Sequence, residues 1–234
     1  MNILLGHGTH AGIKRDHNED TYGVSNKNNI YLVADGMGGH DHGEIACALA
    51  RDTILYFMDK GSTPEQAILN ANHEIITNSQ ERGGDLPMGT TIVLVKVLKN
   101  SYQYAWVGDS RIYHYDDNGL KPITTDHSYV QELVEQDLIT EDQARSHPHR
   151  NVVTQALGVT DNSEIKVAVG DGEITKGCKL LLCSDGLTEE VDNETIEGIL
   201  NKNLHPQETC DQLIIAALKA GGSDNITVVV LEFQ

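Results

Sequence analysis

Four aspartates stand where an apolar run meets a loop. "IYLVAD" ends at Asp35, "YAWVGD" at Asp109 and "LLLCSD" at Asp185, and in "GGSDNITVVVL" Asp224 sits immediately before the run. Gly or Ser flanks each of them, and "RDHNED" supplies Glu19 and Asp20 upstream. One Asp-Gly after a strand is a turn signal, because Gly accepts positive φ and Asp caps its own backbone. Four such ends imply a shared rim on which strand termini gather their carboxylates. Like charges that close repel unless cations neutralise them. Hard cations such as Mg²⁺ and Mn²⁺ take carboxylates, backbone carbonyls and waters as ligands. Gly36, lacking a side chain, lets its carbonyl turn toward an ion and lets a substrate approach closely. The residues alone therefore point to a multi-metal carboxylate site, with ordinary turn caps as the competing reading.

The elements that must carry these residues are legible. Strands are expected at Ile30–Ala34, Thr91–Leu98, Gln103–Val107, Arg111–Tyr115, Glu164–Val169, Lys179–Cys183 and Ile226–Phe233, rich in Val, Ile, Leu and Tyr and bounded by Gly, Asn or Asp. The breaks "KNS" and "GDS" read as hairpins. Helices are expected at Gly43–Lys60, from the capping box Thr63-Pro64-Glu65-Gln66 to about Gln80, at Ser128–Gln136, after the capping box at Thr140, at Glu194–Asn201 and at Pro206–Ala220, closed by Gly221 and Gly222. The order does not alternate strictly, so a doubly wound parallel sheet fits poorly. An α+β sandwich of antiparallel sheets covered by helices fits better.

Composition narrows the function. The chain has 234 residues and a formal net charge of −18, from 17 Lys+Arg against 35 Asp+Glu, which argues against nucleic-acid or anionic-membrane partners. No run approaches the roughly 20 apolar residues of a membrane span, and the first residues lack the basic and apolar regions of a signal peptide. Cys47, Cys178, Cys183 and Cys210 form no C-x-x-C pair. Cys178 and Cys183 lie at odd spacing near one strand and should face opposite sides. They read as reduced cysteines of a cytoplasmic protein.

Taken in order, "GIKRDHNED", "VADGMGGHDHGE", "MGTT", "VGDSRIY", "TTDHSYVQELVEQDLIT", "NVVTQALG", "LLLCSDGLTEEV" and "GGSDNITVVVL" resemble the bacterial type-2C, metal-dependent protein serine/threonine phosphatases (the PPM family) over nearly the whole chain. The resemblance implies a four-layer α-β-β-α sandwich, with residues 1–234 forming a single catalytic domain and a flap at about 146–158. It implies that Asp35 bridges two ions, that Asp185 and Asp224 complete the first site, and that the Gly36 carbonyl with Asp20 or Glu19 holds the second. Asp109 would bind a weaker third ion, shared with Asp185, and Arg15 would bind the phosphate. The cofactor would be Mn²⁺ or Mg²⁺, as two tightly bound ions and a weaker third. The partners would be phosphoprotein substrates and an opposing Ser/Thr kinase. Two departures stand out. His10 replaces the family's usual aspartate, and Met37 occupies the position after Asp-Gly where eukaryotic relatives carry a histidine proposed as general acid.

Such a centre hydrolyses a phosphomonoester by in-line attack of water, whose pKa falls between two ions about 3.5–4 Å apart. Arg15 would neutralise and orient the phosphate. The leaving group needs a proton from water or from a flap histidine, His147 or His149; His40 and His42 lie close in sequence with no assigned role. A non-catalytic phosphoprotein-binding relative would have lost the carboxylates, and here all are present. A haloacid-dehalogenase-like phosphatase would need D-x-D-x-T after the first strand, where this chain has Asp35-Gly-Met. A receiver domain would be shorter and strictly alternating.

Overall fold

The computed structural model describes residues 2–38, 42–82 and 88–234. The strands are β1 (Ile3–His10), β2 (Thr21–Ser25), β3 (Ile30–Ala34), β4 (Gly36–Met37), β5 (Gly89–Thr90), β6 (Ile92–Val97), β7 (Ser101–Val107), β8 (Arg111–Asp116), β9 (Gly119–Pro122), β10 (Ala168–Glu173), β11 (Lys179–Cys183) and β12 (Ile226–Phe233). The helices are α1 (His42–Asp59), α2 (Pro64–Glu81), α3 (Tyr129–Glu135), α4 (Glu141–Arg145), α5 (Asp185–Thr188), α6 (Asn193–Leu200) and α7 (Pro206–Ala220). Among the described residues two five-stranded antiparallel sheets form, in the orders β1-β12-β11-β8-β9 and β10-β7-β6-β3-β2, and β4 pairs with β5 beside them.

Period-2 alternation assigns the layers. On β12, Val229, Leu231 and Phe233 join Leu180 and Leu182 of β11 and Tyr31, Val33, Val93 and Val95 of the other sheet in an apolar layer between the sheets. Ile226, Val228 and Val230 face the other way, onto α5, α6 and α7. Across the molecule Ile30, Leu32, Leu94 and Ala105 face α1 and α2. The product is the expected α-β-β-α sandwich. Cys178 packs in the middle layer and Cys183 in an outer one, on opposite faces as expected, and all four cysteines are free and buried. Both capping boxes form, at Thr63 with Gln66 and at Thr140 with Gln143.

Two expectations are corrected. "KNS" does close a hairpin, with Val97 opposite Tyr102. "GDS" does not, because β7 pairs with β6 and β10 while β8 pairs with β11 and β9, so Gly108–Ser110 carries the chain from one sheet to the other. The strand expected at Glu164–Val169 lies instead at Ala168–Glu173, paired with β7. Its Gly170 and Gly172 lie under the rings of Tyr104 and Tyr102, which any Cβ there would strike. Glycine in a strand marks such close approaches and hides the strand from apolar periodicity.

Candidate active site

The rim expected from the strand ends forms. A cavity of about 680 Å³ is lined by Asp35, Asp109, Asp185 and Asp224 with Arg15, Glu19 and Gly36. Asp20 is buried and does not line it, yet it acts electrostatically on Asp35 and is acted on by Asp185 and Asp224.

Asp35 and Asp20 are held by partners with no charge of their own. Fully buried β3 delivers Asp35, whose N–H donates to Thr91 Oγ1 (3.2 Å) and whose carbonyl accepts from Thr91 N (2.9 Å) and Thr90 Oγ1 (2.9 Å). Thr91 Oγ1 also shares a hydrogen bond with Ser110 Oγ (2.8 Å), tying the end of β3 to the crossover that carries Asp109. Gly108 has φ +105°, and a Cβ there would stand 2.6 Å from that of Thr91, so only glycine fits the crossover. Asp185 opens α5 rather than a turn. The preceding Ser184 Oγ donates to Asp20 Oδ2 (2.7 Å) and accepts from Thr227 N (3.0 Å).

Asn225 fastens the segment that bears Arg15 and Glu19. Its Oδ1 accepts from Glu19 N (2.8 Å), and its Nδ2 donates to the carbonyls of Ala11 (2.9 Å) and His17 (2.8 Å). Arg15 Nη2 donates to Asp224 Oδ2 at 2.6 Å, with the guanidinium side 57% exposed. The Gly36 position serves packing as well as access. A Cβ there would meet the Glu19 carbonyl oxygen at 2.6 Å and the Gly43 backbone at 2.7 Å.

The electrostatics are those of carboxylates held together against their charge. Burial, then the hydrogen bonds to neutral groups that partly offset it, then neighbouring carboxylates leave Asp20 pushed up to about 7. Burial and the charges of Glu189 and Asp224 push Asp185 to about 6. Asp35 and Asp109 lie well above the usual carboxylate range, first by burial and then by their acidic neighbours. Burial also raises Glu19. Asp20 Oδ1 is buried with no hydrogen-bond partner. A buried acceptor without a donor is rare in native proteins, and a hard divalent cation would satisfy it and favour the ionised carboxylates. Among the described residues no three Asp, Glu, His or Cys side chains converge closely enough to hold an ion as they stand. Asp224 is engaged with Arg15, and one oxygen of Asp20 with Ser184.

Asp109 sits at a crossover between sheets, and it lines a second cavity as well as the first. Asn151 and Val153 of the segment 146–158 line the first cavity, and that segment is pinned by bridges from Val153 to Ser128 and from Leu157 to Thr90. His147 and His149 line neither cavity; they pack around Tyr129. His10 accepts from Gly12 N, His42 begins α1, and His40 lies outside the described residues. Sequence reasoning missed Lys14, His17, Thr91 and Asn225 in the lining, and Ser184 behind it. The repeated Ser/Asn–Asp juxtapositions in "CSDG" and "SDN" were the available signal for the last two.

Residues 7–218 match the protein phosphatase 2C family. The serine/threonine phosphatase Stp of Listeria welshimeri is 38% identical over 237 residues, covering 96% of this chain and 93% of the relative. The crystal structure of the Mycobacterium tuberculosis serine/threonine phosphatase PstP/Ppp superposes with a TM-score of 0.91 at 33% identity, covering 99% of each chain. The catalytic domain of PstP solved in complex with two manganese ions superposes with a TM-score of 0.85 at 32% identity, again covering 99% of each. The chain belongs to the protein phosphatase 2C family of serine/threonine protein phosphatases, which are phosphoric monoester hydrolases. No helix among the described residues is long and apolar enough to cross a membrane.

Proposed function

We propose that the rim holds two divalent cations, Mn²⁺ or Mg²⁺, and that the chain uses them to dephosphorylate phosphoserine and phosphothreonine in proteins. The observation that carries this reading is the buried, unpartnered Asp20 Oδ1 among carboxyls displaced upward by one another. The two manganese ions of the PstP catalytic domain support the same count. Asp35 would bridge the ions, Asp185 and Asp224 would complete the first site, and the Gly36 carbonyl with Asp20 or Glu19 would complete the second. Bound ions supply a water acidified for in-line attack on phosphorus near neutral pH.

The chain's own groups do the rest. Arg15, on an exposed stem at the cavity mouth, neutralises the phosphate oxygens and fixes their direction. It must leave Asp224 to do so. Segment 146–158 acts as a flap, contributing Asn151 and Val153 to the wall. The opposing enzyme is a Ser/Thr kinase, and four reduced, buried cysteines suit a cytoplasmic setting.

The test is hydrolysis of a phosphothreonine peptide with Mn²⁺, without added metal, and with excess EDTA. Turnover only in the first condition is expected; undiminished turnover in EDTA refutes the reading. Asp109 with Asp185 would hold a weaker third ion, since the ion with fewest protein ligands relies most on water. Calorimetric Mn²⁺ titration of Asp109→Ala should lose a weak binding event and keep the tight ones. An unchanged isotherm makes Asp109 a crossover residue only.

A further inference from the structure

A second cavity, of about 490 Å³, adjoins the first, and Asp109 and Asp185 line both. It is a trough. One wall is α3 and α4, through Val130, Gln131, Val134, Glu141, Ala144 and Arg145; the other comes from Thr188, Glu189 and Asn193. Its floor is rigid. Arg111 donates to both oxygens of Asp126 (2.9 and 2.7 Å), and Tyr113, which accepts from Arg111, donates to Asn193 Oδ1 (3.2 Å).

Glu189 stands between the two cavities. Asn151, which lines the first, reaches it at 3.4 Å; Arg150, which lines the second, approaches at 3.8 Å, beyond a good hydrogen bond. The trough is therefore continuous with the metal rim past a loosely held side chain.

Charge distribution says what the trough would take. The chain carries a net charge of −18 and has six arginines, Arg15, Arg51, Arg82, Arg111, Arg145 and Arg150. Four of these six line the two cavities. Arg15 and Arg111 are committed to Asp224 and Asp126. Among the described residues Arg150 has only the 3.8 Å approach to Glu189, and Arg145 has no side-chain hydrogen bond or ion pair within 4 Å. Arg145 does sense Asp192 across the trough, but that carboxylate is capping α6 through Thr195 N (2.8 Å). Arg145 thus lines the trough with no bonded partner among the described residues, and Arg150 lines it held by a single long ion pair to Glu189, in a chain otherwise short of cations. Guanidinium groups bind carboxylates by paired hydrogen bonds.

We infer that the trough is a substrate subsite for the peptide segment beside the phosphoresidue, and that Arg145, with Arg150, selects an acidic side chain there. This rests on the phosphatase reading above, because the trough acquires this meaning only if phosphate sits at the rim. Glu141 and Glu189 also line the trough, with Asp126 paired to Arg111 and with Asp109 and Asp185 at its junction with the rim, so the opposite preference, for a basic segment, is the competing outcome.

The experiment compares kcat/KM for three phosphothreonine peptides of equal length, with Glu, Gln or Lys on both sides of the phosphoresidue, in saturating Mn²⁺. Wild type should prefer the Glu peptide over the Gln peptide by about fivefold, and Lys should be poorest. Arg145→Gln should bring the Glu/Gln ratio near one, and Arg145→Glu should invert the Glu/Lys order. Equal use of the three peptides, a preference for Lys, or an acidic preference that survives both variants overturns the assignment. Wild-type hydrolysis of p-nitrophenyl phosphate, which has no flanking segment, runs alongside. If that hydrolysis fails, the phosphatase reading fails; if it proceeds while the peptides are not distinguished, the subsite alone fails.

Discussion

The layer between the sheets and the carboxylate rim are made by the same strands. In β3, β11 and β12 the interior residues are fully buried and apolar, and Tyr31, Val33, Leu180, Leu182, Val229 and Leu231 fill a continuous packed layer. One residue past the end of β3 and two past the end of β11, Asp35 and Asp185 are carboxylates held above their ordinary pKa first by burial and then by acidic neighbours, Asp20 for the one and Glu189 for the other. Packing consumes apolar area, at about 25 cal/mol per Å² buried. The rim spends some of that stability to keep like charges together. Stability and function are therefore separated along each strand by a few residues, and substitutions should separate them too.

The largest effect is expected in the packed layer. Leu231→Ala, seven residues along β12 from Asp224, should cost about 2–5 kcal/mol of unfolding free energy, the usual range for a buried Leu cavity. Its turnover while folded should match wild type. Denaturant unfolding with parallel kinetics checks both, and a comparable loss of kcat would mean that rim and interior are not separable. Asp35→Asn reverses the pattern. It should lower kcat at least about 10²-fold, because a bridging ligand sets both ions, while the ion-free protein becomes no less stable, since a crowded charge is gone. Near-normal turnover would remove Asp35 from the bridge.

The pH response of the ion-free protein sharpens the same contrast. Asp20, at about 7, and Asp185, at about 6, bind protons in the folded state that the unfolded chain releases near the ordinary carboxylate value of about 4. Stability from these groups is full below about pH 4 and is lost as pH rises to about 7. In EDTA, melting temperature should therefore fall between pH 5 and pH 8 more steeply in wild type than in Asp20→Asn. Equal slopes would show that the rim carboxylates are not strained by their charge. The smallest effect concerns the mouth of the cavity. Arg15→Ala should raise KM for phosphopeptide about tenfold and lower kcat less than Asp35→Asn does, because a phosphate contact made in ground and transition states alike contributes mainly uniform binding. Steady-state kinetics with an unchanged KM would separate Arg15 from the phosphate.

How much could be read in advance follows from what each residue's role depends on. Ile30–Ala34, Lys179–Cys183 and Ile226–Phe233 are bounded to the residue by the sequence, because both faces of these strands are almost wholly buried and their interiors are long apolar runs. β1 was missed. Its Gly6 leaves no room for a Cβ against the backbone of Pro206 and Gln207, so the strand is written for the helix α7 packed on it and not for its own periodicity. β10 was displaced for the same reason, with aromatic rings over its glycines.

The chemistry proposed for the rim is readable from residue type and position. Four aspartates at the ends of apolar runs with small neighbours are a local fact, and local facts survive folding. What only the tertiary structure decided is how those ends meet. The "GDS" segment looks like a hairpin by composition, but β7 lies between β6 and β10 in one sheet and β8 between β9 and β11 in the other, which turns it into a crossover that brings Asp109 to both cavities. Ser184, Thr91 and Asn225 orient carboxylates and backbone through hydrogen bonds that span 19 to 214 residues, from Thr91 with Ser110 to Asn225 with the Ala11 carbonyl. Sequence spacing carries the identity of a ligand; distance in space, which the chain fixes only by closing both sheets on one layer, carries its orientation and its neighbours.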